Sequence, residues 1–219
     1  MRWLEQLRKD KEQWKKLPDR SSKLAFLYDY YKVPILVIVL SLFLVIYLIA
    51  HSLLVTPVKL HVVLVNSDAL IAECDDSVFE KVYEKTGMNG KGIIEVRTDL
   101  FMREDDAGTV DMGSREILAA LFTMGDLDIY VSDPKTFEIF AKQGAFIDFG
   151  ILKDEEILSS DRIYTMVNED GTVSVPGILL KEGSFLHEAG YYHHDVVLAA
   201  AANADRMEES IAFIKEILK

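Results

Sequence analysis

LDIYVSDPKTFEIFAKQ, residues 127–143, changes its period halfway along. Residues 127–131 are a short run, apolar apart from Asp128, as a buried strand would be. Asp133 and Pro134 follow, an N-cap residue with proline at the first helical position. From there Phe137, Phe140 and Ala141 recur at helical spacing to about Gln143. A strand that runs straight into a capped helix is the building unit of an α/β sheet.

The same alternation extends in both directions. Residues 58–65 are β-rich and mostly apolar, which fits a strand covered on both faces. Residues 77–86 read as a helix with Ser77 and Glu80 as a capping box and Gly87 as its stop. Residues 93–98 read as a second strand, and 114–124 as a helix ending at Gly125. Downstream, Asp170-Gly171 marks a turn between residues 163–167 and 172–180, a hairpin whose second arm contains Pro176 and so belongs at an edge or a bulge. Residues 196–201 form a last short strand. Residues 205–218 form an amphipathic helix with Asp205 and Glu208 as its capping box. Strands alternating with crossover helices predict a doubly wound, mostly parallel α/β sheet with an added hairpin, occupying residues 57–219.

That domain is preceded by VPILVIVLSLFLVIYLIAHSLLV, residues 33–55, which holds no Asp, Glu, Lys or Arg. As a helix it is roughly 34 Å long, enough to cross a hydrocarbon core of about 30 Å. A transmembrane helix is therefore expected at 33–55. Residues 1–32 carry nine bases and five acids, net +4, which leaves −16 after Lys32 out of the chain's −12. Lys and Arg flanking a span mark its cytoplasmic side, so 1–32 is expected inside and 57–219 outside the cell. Tyr28, Tyr30 and Tyr31 suit an interfacial aromatic belt, and Pro34 suits the first turn of the helix. Ala50-His51-Ser52 offers a small-x-small cleavage site, but the apolar run exceeds signal-peptide length and continues through Leu53, Leu54 and Val55, so an uncleaved signal-anchor is expected. Trp3, Leu7, Trp14 and Leu17 fall roughly on one helical face. Cys74 stands alone, so no intrachain disulfide holds the domain together.

DIYVSDPKTFEIFAKQGAFIDF (residues 128–149), EDGTVSVPGILL (169–180) and VVLAAAANADRMEESIAFIKEIL (196–218) together resemble, in order, the first lobe of a bacterial extracellular solute-binding protein of the periplasmic-binding-protein type. The front end, LAFLYDYYKVPILVIVLSLFLVIYLIA, is similar to membrane-anchored proteins of clostridia-like Gram-positive bacteria. Members of that binding-protein family trap solute between two lobes. Here only residues 181–195 separate the "VPGILL" strand from the returning one, too few to build a second lobe. The resemblance thus implies a reduced, single-lobe relative.

Ligands of open α/β sheets bind beyond the carboxyl ends of the strands. Asn66, Ser67 and Asp68 follow the first strand, Asp99 the second, and Ser132 and Asp133 the third, making these six the candidate ligand- or partner-binding residues. The favoured function is a non-enzymatic binding or interaction module contacting an envelope or membrane protein, with no cofactor and no small-molecule ligand expected. The alternative is a metal-assisted hydrolase using Asp68, Asp99 and Asp133, which would need those carboxylates to converge on one ion. The acidic run Asp99, Glu104, Asp105, Asp106 and Asp111 lacks EF-hand spacing and reads as a solvated loop. His187, His193 and His194 lack helical zinc spacing. The domain's negative charge excludes nucleic acid, which requires clustered positive charge.

Overall fold

The computed structural model describes residues 19–54, 56–69, 73–88, 91–102, 111–168 and 170–219, together with Arg8, Glu12, Trp14 and Lys15. The chain divides into two units, Met1–Thr56 and Pro57–Lys219. In the first, α1 (Arg20–Leu54) is a continuous helix of 35 residues. Its segment Tyr31–His51, mean hydropathy 3.0, is long and apolar enough to cross a membrane. The helix begins well before the apolar run, so Pro34 lies inside it rather than in its first turn. Proline removes one backbone donor there, a loss that membrane helices tolerate through local adjustment. Trp3, Leu7 and Leu17 of the expected apolar face lie outside the described residues.

In the second unit, six strands among the described residues form one sheet: β1 (Val58–Val65), β2 (Ile93–Leu100), β3 (Ile129–Ser132), β4 (Ile163–Val167), β5 (Val173–Leu180) and β6 (Val196–Ala200). Their order is β2-β1-β3-β6-β5-β4. β1 is parallel to β2 and β3, whereas β6 is antiparallel to both β3 and β5, and β4 to β5. Four of the six strands therefore run the same way. The last strand enters the middle of the sheet in the opposite sense. Its sequence, VVLAA, is buried at every position, and only a central strand hides both faces. Between β4 and β5 the register slips, Tyr164 facing Gly177 but Met166 facing Ser174, and Pro176 falls within that slip.

Helices cover the sheet on both sides. Phe79 and Tyr83 of α2 (Ser77–Lys85), Phe149 of α5 (Phe149–Leu152), Ile157 of α6 (Glu155–Leu158), Leu186 of α7 (Phe185–Glu188) and Phe213 of α8 (Met207–Leu218) pack on Leu60, Val62 and Leu64. Leu118 and Leu121 of α3 (Met112–Met124) and Phe137 and Phe140 of α4 (Pro134–Ala141) pack against Val63, Val65 and Tyr130. On this side Phe137 stacks on Phe146 at 4.6 Å between ring centres.

The caps differ from expectation in three places. At α2 the N-cap is Asp76, whose side chain makes no capping bond and accepts from the Tyr191 hydroxyl, while Glu80 turns to Lys59 at 2.6 Å instead of closing a box with Ser77. α3 starts at Met112, capped by Asp111, whose carboxylate accepts from the Gly113 and Ser114 amides. At α8 Arg206 occupies the N-cap position, and Asp205 makes no box with Glu208. Arg206 is drawn away by Asp128, a fully buried carboxylate on which its Nη1 donates at 2.8 Å. Asp128 also accepts from the His61 amide at 2.7 Å, and Arg206 Nε donates to the Val58 carbonyl at 2.9 Å. This pair binds the start of β1, the start of β3 and the approach to α8.

Candidate functional site

The carboxyl ends of β1, β2 and β3 meet around Asn66. Its backbone takes the left-handed conformation, φ 59°, which asparagine tolerates better than most residues. That turn aims the buried side chain back over the neighbouring strands. Its amide hydrogen bonds Leu100 O at 3.0 Å, and Oδ1 accepts from the Met102 amide at 2.7 Å, both at the end of β2. Nδ2 donates to Asp133 Oδ2 at 2.8 Å and to Thr136 Oγ1 at 3.2 Å, at the start of α4.

Asp133 caps α4 as its Asp-Pro sequence predicts, Oδ1 accepting from the Thr136 amide at 3.0 Å and Oδ2 from the Thr136 hydroxyl at 2.8 Å. Burial pushes its carboxyl toward the neutral form, but the bonds from Asn66 and Thr136, with His194 nearby, outweigh that and hold it below the usual range. The carboxylate is thus committed to its neighbours. Ser132 is buried, its hydroxyl donating to the Asp133 carbonyl at 3.1 Å. Ser67, also buried, donates to Thr98 O at 3.3 Å.

Asn66, Ser132 and Asp133 are brought together, whereas two of the expected carboxylates are not part of their network. Asp99 is exposed and paired with Arg97 at 2.7 Å, which lowers its pKa. Asp68 is placed by its amide, which donates to the Tyr191 carbonyl at 2.8 Å. Among the described residues no group of three or more His, Cys, Asp or Glu side chains is arranged to hold a metal ion. Of the acidic run, Glu104, Asp105 and Asp106 lie outside the described residues.

Thr136 and Tyr192 escaped sequence reasoning, and His194 was weighed there only as a zinc ligand. Thr136 completes the Asn66–Asp133 network. Tyr192, buried, donates its hydroxyl to Val65 O at 2.9 Å and Val131 O at 3.3 Å, tying the ends of β1 and β3. His194 stands edge-on to the Tyr192 ring at 5.5 Å and, with Lys135 and Ile139, borders an open cavity of about 540 Å³ above Asn66 and Asp133. Residues 190–195 form no strand, so no periodicity marked these side chains; the adjacent histidines were the one visible signal. His187 is used structurally, its ring held between Ser184 Oγ at 2.7 Å and the His194 carbonyl at 2.8 Å. No protein family, curated protein or solved structure matches the chain.

Proposed function

We propose that this chain is a membrane-anchored interaction module: a single-lobe relative of the solute-binding proteins, displayed outside the cell on one transmembrane helix. The apolar helix α1 supports the anchor, and the basic flank before it supports a cytoplasmic N-terminus. The observation that carries the module reading is the bracing of the strand ends. Asn66, Thr136 and Asp133 spend their polar groups on one another, which builds a fixed, open surface in place of a free acid or base. Such a surface suits a protein partner better than a solute that must be enclosed.

Photo-crosslinking of the full chain in its own membrane tests this, with a reporter active only outside the cytoplasm fused after Lys219. The reading requires an active reporter and a discrete protein adduct. A silent reporter, or sugars and amino acids that stabilise the domain in thermal-shift assays, would refute it.

A further inference from the structure

At the opposite end of the sheet lies a second cavity, of about 490 Å³, within the range of specific binding sites. Ile147, Met207 and Ile211 line it together with Ile151 and Leu152 of α5. Ile151 is 78% exposed and Leu152 50%. The rim continues to Asn168 and Ser174, on either side of the turn between β4 and β5, which also line the cavity. Large apolar side chains gathered around a groove mark an interaction surface when no core covers them.

The polar groups of the groove define the occupant's charge. Asn168 and Ser174 satisfy each other, Ser174 Oγ donating to Asn168 Oδ1 at 3.3 Å. Asp148 is the single charged residue among the described lining residues. Its Oδ1 accepts from the Gly150 amide at 2.8 Å and the Val175 amide at 3.0 Å, fixing the carboxylate, while Oδ2 accepts from no group among the described residues. The groove therefore offers an apolar floor and one oriented anionic acceptor, on a domain whose net charge repels anionic lipid and a second copy of itself.

We propose that this groove docks a basic, apolar-faced segment of a partner protein, an apolar residue filling the floor while an adjacent Lys or Arg meets Asp148. The inference rests on the interaction-module reading and names the surface and chemistry of the partner.

The test uses the full chain in phosphatidylcholine nanodiscs, applied to peptide arrays in which Leu, Ile or Phe alternate with Lys or Arg, and to matched arrays carrying Glu. The basic array is expected to retain the protein and the Glu array not. Asp148→Asn keeps both amide bonds but loses the charge, and should weaken retention about tenfold, the loss of one charge-assisted hydrogen bond. Ile151→Asp alters a side chain that packs on little, so the fold survives and retention should be lost. Retention no greater than that of empty nanodiscs, equal retention on both arrays, or indifference to both variants overturns the proposal. So does preferential binding to the bilayer or to a second copy. A crosslinked partner that the Ile151→Asp chain still captures leaves the module reading intact and sinks the groove alone.

Discussion

Replacing Asp128 by alanine should unfold the domain more readily than any surface change. The Asp128 side chain is fully buried and accepts from the His61 amide, the Arg206 amide at 3.3 Å and the Arg206 guanidinium. Truncation leaves a buried N–H and a mostly covered guanidinium with nothing to answer them. Removing one partner of such a pair costs about 3–5 kcal/mol. Domains of this size have a total stability of about 5–15 kcal/mol, so roughly a fifth or more is at stake. In a domain of about 150–250 residues each kcal/mol moves Tm by roughly 2–4 °C, which puts the expected drop at about 6–20 °C. Urea melts of residues 57–219 followed by circular dichroism give the free energy directly, provided the slope is unchanged. Asp128→Asn keeps an acceptor for the His61 amide and should cost less. The double variant Asp128→Ala/Arg206→Ala should cost less than the sum of the singles, because each single strands a partner that the double removes. A loss under about 1 kcal/mol for Asp128→Ala, at unchanged slope, would refute the claim that this pair joins β1, β3 and α8.

Asn66→Gly relieves the left-handed backbone but abandons the bonds to Met102 and Asp133, and should still destabilise by about 1–3 kcal/mol in the same melts. Gly177 admits no side chain, since a Cβ there would stand 2.7 Å from the Leu198 carbonyl and 3.0 Å from Val197 Cγ1; Gly177→Ala should lower Tm or shift β5, which hydrogen exchange of its amides would report. The depressed Asp133 carboxyl predicts a pH dependence. Its folded value lies below the ordinary 3.8, so its stabilisation is complete above 3.8 and disappears as pH falls through the folded value. Melts of the parent and of Asp133→Asn should therefore differ at neutral pH and converge in acid, and a constant difference would assign no charge role to Asp133.

The proposed interaction surface and the proposed groove lie at opposite ends of the sheet, and the sequence disclosed only the first. The strand-end residues were found because a rule of open sheets attaches ligands to that edge and because Asn66, Asp99 and Asp133 each follow a readable strand. What those residues do there was hidden. Asp133 and Thr136 are close in the chain, but Asn66 reaches them across 67 and 70 residues, and no local pattern records a contact made by folding. The groove at the other end left still less trace. Ile151 and Leu152 belong to a helix of four residues, too short for any helical period to show, and Asp148 meets Val175 only because β5 passes beneath it.

By itself the sequence determined the elements that depend on neighbours along the chain. The apolar run commits α1 to a helix because it holds no Asp, Glu, Lys or Arg and is apolar almost throughout, whatever surrounds it. Asp133-Pro134 sets the start of α4, since capping is settled within four residues. Tertiary structure alone decided where β6 lies, because VVLAA reads the same whether it joins an edge or enters the centre antiparallel to β3, and burial of both faces chose the centre. It also overruled local capping at α2, taking Glu80 for Lys59, and it brought Asp128 and Arg206 together across the chain. A buried carboxylate such as Asp128 needs oriented donors in place of water, and only folding brings the Arg206 guanidinium to it.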